Sequence, residues 1–410
     1  MKGERARNGS GAAGPRRATA KPPAEDAPRP APPDAGAGPS PGAGPGGADG
    51  PPGQAPPAPL PAPAETGLEK LLLHPTKLGS LLRWDPERPD PLYPISVELS
   101  LTNRCNLNCR YCSDSEVRKW PDFFHIYHLT RLFEDLAGGG TTGVTFEGGG
   151  EPLLSELFPE ALESCLGHGL SAGLITNGLM LFARHVPEKL VSRLSWVRVS
   201  LDAANEAQYR ALKGAKGFAK AFENVVRLAK LKRGPAVGVG YVLTNLNDDP
   251  RLLRLLAEKL RDAGADYLQI RPVVDHPELE SRADLSGTFS GISGPGFRVD
   301  LAPLSDNLPE GNLGLPCRAH SITAVICADA RIFTCGRLND RPFFPHIGDL
   351  ALMSSAPADF GPAWNGKLRK MQNRVLARPS FCSENCPRCR ITKYNRLLDD
   401  LQRIRTPDFI

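Results

Sequence analysis

No apolar run in these 410 residues approaches the ~20 consecutive residues that a membrane-spanning helix needs, so no membrane association is expected. Arg16 and Arg17 are followed by no hydrophobic segment, which argues against a secretory signal and for a cytoplasmic protein. A basic stripe is also lacking. The net charge is only +5 and Lys and Arg are scattered, so no nucleic-acid partner is expected. Residues 1–66 have no aromatic side chain, and Leu60 is their only large aliphatic. Pro, Gly and Ala dominate there and cannot bury enough apolar surface to offset the entropy of ordering, so a disordered tail is expected. Whether such a tail recruits a partner is not legible from composition.

What the chain does have is ten cysteines. In a reducing compartment these point to metal binding or redox chemistry rather than to disulfides. Nine of them lie in two groups. The tenth, Cys165, sits in the helical pattern ALESCLGHG and reads as a small buried hydrophobe.

After a lead-in at 67–92, strand-like segments recur at 94–102, 142–147, 172–176, 195–201, 236–243 and 266–273. Helical patterns lie between them, near 126–137, 154–167, 182–193, 217–232 and 250–263. Alternation of this kind predicts an α/β fold with a parallel sheet. Six repeats over 93–275 fall short of the eight that close a TIM barrel, so a partial (β/α)6 barrel is expected. Residues 276–316, rich in Gly, Pro, Ser and Asp, read as a linker with little regular structure. Residues 317–410 read as a small α+β domain, with a hairpin at 322–335 turning at Asp329-Ala330 and a last helix from about Ile391 to Arg405.

Directly after the first strand stands Cys105-Asn-Leu-Asn-Cys109-Arg-Tyr-Cys112, a CxxxCxxC loop. Thiolates are the preferred ligands of iron–sulfur clusters. Three on one loop can hold three irons of a [4Fe–4S] cubane and leave the fourth open to a small molecule. A zinc knuckle and a plain electron-transfer cluster are the alternatives, although zinc needs a fourth ligand and the loop holds no His.

The spacing, Tyr111 before the third cysteine, and the position after the first strand resemble the radical S-adenosylmethionine (SAM) superfamily. So does the order of later strand ends: Phe146-Glu-Gly-Gly-Gly-Glu-Pro152, Thr176-Asn-Gly178, Ser200-Leu-Asp202, the Val237–Val242 segment with Gly238 and Gly240, and Arg271. The resemblance covers residues 93–275. It implies that Gly149, Gly150 and Glu151 hold the methionine end of SAM, with Glu151 accepting from its ammonium group. It further implies that Asn177, Ser200, Asp202 and Arg271 complete the SAM site, that adenine stacks on the Val237–Val242 strand, and that a 5′-deoxyadenosyl radical abstracts hydrogen from the substrate. A flavodoxin- or ferredoxin-type reductant is the implied partner.

The carboxy-terminal cysteines resemble a SPASM or shorter twitch domain, which implies a second, auxiliary [4Fe–4S] cluster. Its expected ligands are Cys317, Cys335, Cys386 and Cys389, with Cys382 as the alternate and structural zinc as the competing metal. Cys327 reads as core, with hydrogen-atom donation in an epimerisation as its sharper role. An auxiliary cluster can accept a second electron, which turns hydrogen abstraction into oxidation.

The runs GGGEPLL, WVRVSLDA and VGVGYVLTN resemble radical SAM enzymes of aminoglycoside and related carbohydrate pathways. A small-molecule substrate is therefore expected, with a peptide-modifying maturase (crosslinking or epimerisation) as the alternative and a catalytically silent scaffold as a third reading. Glu147, where relatives often carry a small residue, is expected to face the barrel mouth as a catalytic residue. It would contact the substrate or take its proton, unless it is spent on a salt bridge to a nearby Arg.

Overall fold

The computed structural model describes residues 69–88, 90–231, 234–302, 314–336, 338–339, 344–351, 359–385 and 391–404. The expected tail at 1–66 lies outside them.

Strand β1 (Ser96–Leu99) is followed by β2 (Gly143–Phe146), β3 (Ser171–Thr176), β4 (Trp196–Ser200), β5 (Ala236–Leu243), β6 (Tyr267–Pro272) and β7 (Arg298–Leu301). These seven pair in sequence order, each parallel to the next. Strands β1, β2 and β4 alternate strictly. Val97, Leu99, Val144, Phe146, Val197 and Val199 are buried against the covering helices. The alternate positions (Glu98, Thr145, Arg198, Gln269) face the other way and are only half-buried. That second face is the interior of the partial barrel, and it is polar.

Two of the crossover helices start at side-chain caps. Asp249 accepts from the Arg251 and Leu252 amides ahead of Pro250–Asp262, and Asn205 accepts from the Gln208 amide ahead of Glu206–Lys213. The helical pattern at 182–193 shrinks to Glu188–Val191, preceded by Pro187 as cap and Phe182 at φ 61°. Among the described residues no helix is long and apolar enough to cross a membrane.

The sheet extends beyond the six strands read from sequence. The linker at 276–316 contains β7, whose Arg298 pairs in register with Tyr267, its guanidinium 4.9 Å from that ring. Beyond the linker, β8 (Thr323–Ile326) pairs parallel with β1, while β9 (Arg331–Phe333) and β10 (Gly348–Asp349) follow antiparallel. The expected hairpin therefore exists, but it continues the barrel sheet at the β1 edge. The sheet runs across the expected boundary near 317. A satellite core of Cys317, Ala319, Leu338, Phe344, Leu376 and Ile391 holds the rest of that region together. The lead-in helix Pro75–Leu82 packs its Leu81 on Leu398 of the last helix, Thr392–Arg403.

Candidate active site

All three cysteines of the first loop line one cavity of about 710 Å³, together with Asn103, Arg104, Asn108, Arg118, Trp120 and Asp122. The size is that of a small-ligand site. The loop reaches this position through bonds made at its base rather than through its thiols. Asp122 accepts from the Thr102 hydroxyl at 2.5 Å and the Asn103 amide at 2.7 Å, and the Asn103 side chain donates to Trp120 O. Beyond the turn, the Asn108 and Arg110 amides donate to Lys213 O and Leu212 O, at the end of helix Glu206–Lys213. Gly214, at φ +73°, closes that helix and leaves room for Asn108. Burial pushes the Cys109 thiol up to about 11 and the Cys112 thiol upward as well. A metal that binds them must displace those protons.

The glycine turn lies directly beneath this loop. A Cβ on Gly149 would stand 2.3 Å from Asn103 Oδ1, and one on Gly150 1.9 Å from Arg104 O. The Gly150 and Glu151 amides donate to Thr102 O and Arg104 O. The two glycines are thus spent on close approach to the cysteine loop. Glu151 accepts three hydrogen bonds: Oε1 from the Thr176 hydroxyl (2.6 Å) and the Leu153 amide, and Oε2 from the Asn177 amide (2.8 Å). It ties the ends of β2 and β3 together. Asn177 in turn donates to Asn106 of the cysteine loop at 2.7 Å.

Ser200 and Asp202 close β4. Asp202 sits at φ 55° with its Oδ1 accepting from the Val242 amide. Its Oδ2 pairs with Lys213 Nζ at 2.5 Å, and that ammonium also donates to Ser200 O. In β5, Gly238 leaves space for the Tyr267 ring of the neighbouring strand, since a Cβ there would lie 1.9 Å from it.

Glu147 follows β2 and faces the barrel interior. Protein surrounds it although its surface is only half-buried. This raises its pKa from 4.5 to about 7, with Arg198 opposing the shift, Asp114 adding to it and Arg271 opposing it. The structure therefore brings Glu147 and Arg271 into one charged neighbourhood, with no direct Glu147 ion pair among the described residues. Arg198 belongs to it too, although the reading from sequence missed it. Its Nη1 donates to Gln269 Oε1 at 3.1 Å, while its Nε is buried without a partner. An Arg between Val197 and Val199 in an alternating strand was the available signal.

A raised carboxyl pKa means the native state holds a proton that the unfolded state has released. Glu147 therefore lowers stability as pH rises from 4.5 to about 7. Relative to Glu147→Gln, the wild type is expected to lose stability between about pH 5 and about pH 8, read from urea midpoints. Equal midpoint differences at both pH values would defeat this assignment.

Of the second cysteine group, Cys317 and Cys335 meet in the satellite core, and Asn395 Nδ2 donates to Cys317 Sγ at 3.5 Å. Cys386, Cys389 and the Cys382 side chain lie outside the described residues. Cys327 is core, packed with Val117, Val325, Phe333 and Trp120, and Cys165 is buried in the main core.

Residues 99–256 match the family model of the radical SAM superfamily. The chain is 28% identical over 224 residues to the probable GTP 3′,8-cyclase of Methanocella arvoryzae, a match covering 54% of this chain and 66% of that protein. It is 26% identical over 208 residues to the S-adenosylmethionine-dependent nucleotide dehydratase of Selenomonas ruminantium, covering 47% of this chain and 73% of that one. The chain thus spans just under two thirds of the cyclase's length. In fold it resembles the crystal structure of Streptococcus suis SuiB bound to S-adenosylmethionine, with a TM-score of 0.56 over 75% of this chain and 72% of that one at 12% identity.

Proposed function

We propose, on the premise that residues 99–256 form a radical SAM superfamily domain, that the chain is an enzyme acting by hydrogen abstraction on a polar small molecule of carbohydrate or natural-product type. The observation that carries this reading is the placement of Cys105, Cys109 and Cys112 in the wall of one cavity, on a loop anchored at the carboxy-terminal ends of the parallel strands. Three thiols on one loop, with no His lining the cavity and room for a small molecule, have the donor chemistry of a cubane with an open iron, although among the described residues no three His, Cys, Asp or Glu side chains stand together as a preformed metal site. When bound there, the cluster with SAM supplies a 5′-deoxyadenosyl radical by one-electron reduction.

The chain's own residues supply the rest. Gly149 and Gly150 seat the cysteine loop, and Glu151 and Asn177 hold the ends of β2 and β3 against it. Ser200, Asp202 and Arg271 would complete the SAM site, as the order of strand ends implies, although none of the three lines the cavity beside the cysteines. The polar interior face, with Arg198, Gln269 and Arg271, suits a substrate bearing several hydrogen-bonding groups. Near neutral pH Glu147 is poised to take a proton from a substrate hydroxyl or ammonium. Cys317 and Cys335, with Cys386 and Cys389, would hold an auxiliary cluster that takes up the second electron and makes the outcome a two-electron oxidation. The reductant belongs to the flavodoxin or ferredoxin class.

The test is anaerobic reconstitution of wild type and Glu147→Gln, followed by dithionite-driven SAM cleavage. About eight irons per chain are expected for two cubanes, and about four would remove the auxiliary cluster. Glu147→Gln should form 5′-deoxyadenosine within about twofold of wild type, yet lose product formation from a panel of amino sugars and aminocyclitols at least about a hundredfold. Loss of cluster or SAM cleavage in that variant would defeat the role of Glu147. Turnover of a short peptide, with none of the sugars, would favour peptide modification instead.

A further inference from the structure

We infer that the buried Asp202–Lys213 pair sets the reduction potential of the cluster on the Cys105–Cys109–Cys112 loop, acting through its position beside Cys109. The inference rests on the cluster assignment made above and concerns residues outside the thiol ligand set.

Lys213 is 2% exposed, and Asp202 equally so. A lysine hidden to this degree needs specific partners, and it has three. Asp202 Oδ2 lies at 2.5 Å and Ser200 O at 2.7 Å, and the ammonium sits 5.7 Å from the centre of the Tyr209 ring. The same residue is tied to the cysteine loop by main chain. The amides on either side of Cys109, those of Asn108 and Arg110, donate to Lys213 O and Leu212 O. Cys109 is therefore clamped over the last turn of helix Glu206–Lys213, where the ion pair is buried.

The 2.5 Å contact with Asp202 offsets the cost of burying a charged lysine here, so the ammonium is held as a fixed cation.

Reduction adds one negative charge to a thiolate-bound cluster, and in a poorly solvated site fixed charges nearby change its cost directly. A cation at Cys109 favours the reduced state, and an anion there disfavours it. The two members of the pair must then act in opposite directions. Deleting Lys213 leaves Asp202 as an uncompensated anion and lowers the potential. Neutralising Asp202 leaves the ammonium on Ser200 O and Tyr209 and raises it. Loosening of the loop alone would give no such opposition of sign.

The experiment is an EPR-monitored redox titration of the reconstituted full chain, without SAM, on wild type, Lys213→Met, Lys213→Arg and Asp202→Asn. The first cluster is identified as the one whose signal changes when SAM is added afterwards. Lys213→Met is expected to lower the reduction equilibrium about tenfold, or about 59 mV for one electron. Asp202→Asn should raise it, and Lys213→Arg should stay within about threefold of wild type. Unchanged potentials at full iron content, or shifts of one sign in both neutralising variants, would overturn the inference. If Lys213→Met takes up no cluster, the sign of the Asp202→Asn shift decides. A wild type that binds no iron would instead bring down the cluster assignment itself.

Discussion

Replacing Cys105, Cys109 and Cys112 together by Ala is expected to remove about four irons per chain and to reduce 5′-deoxyadenosine formation at least about a hundredfold, to background. The reason is chemical and local. Among the residues that line the cavity, these three are the only sulfur ligands, and Asn, Arg and Trp side chains cannot replace thiolates on iron. The fold should survive. The loop is held by the Asp122 bonds, by the Asn108 and Arg110 amides on the end of helix Glu206–Lys213, and by the Asn106–Asn177 bridge, none of which uses a sulfur. All three side chains are only half-buried, so the metal-free triple variant should melt within a few degrees of the metal-free wild type. Iron and sulfide analysis beside calorimetry separates the two effects. Full iron retention would place the cluster elsewhere, and a collapsed fold would mean the thiols themselves hold the loop.

Gly150→Ala is expected to produce the reverse pattern, with damage to the scaffold first and to the cluster as a consequence. The added methyl would lie 1.9 Å from Arg104 O and 2.4 Å from Arg104 C, and both atoms are backbone, so no side chain can swing aside. Relief requires breaking the Gly150–Thr102 and Glu151–Arg104 bonds that seat the cysteine loop. A cost of about 3 kcal/mol or more follows from overpacking and lost hydrogen bonds together. Cluster uptake should fall with it. Gly138→Ala is the control, because a Cβ there meets nothing within 4 Å at the end of helix Ile126–Gly138, and its melting temperature should match or slightly exceed wild type. A Gly150→Ala protein with wild-type melting and full iron would refute the close packing of turn and loop.

The strand order β1 to β6, the helix start at Asp249, and the position of the cysteine loop were all legible because each depends on neighbours a few residues apart; the short helix Glu206–Lys213 was not read. Period-two alternation, a capping side chain and CxxxCxxC spacing are local signals. The position of Glu147, one residue beyond an alternating strand, was legible on the same ground. The return of β8 to β1 was not. It joins residues more than two hundred positions apart, and nothing in TAVI distinguishes a separate hairpin from an added edge strand. The short strand RVDL was likewise masked by the Gly- and Ser-rich residues around it.

The site divides in the same way. The residue types that can bind iron, and their place after the first strand, belonged to the sequence alone, because ligand chemistry is a property of side chains and short loops. Tertiary structure decided what surrounds them. It spends Gly149 and Gly150 on their own loop, locks Glu151 between two strand ends, sets Arg198 and Arg271 near Glu147, and buries Lys213 with Asp202 beneath Cys109. Each of these depends on which distant segments share a low-dielectric interior, and both burial and charge pairing arise only once the sheet has assembled.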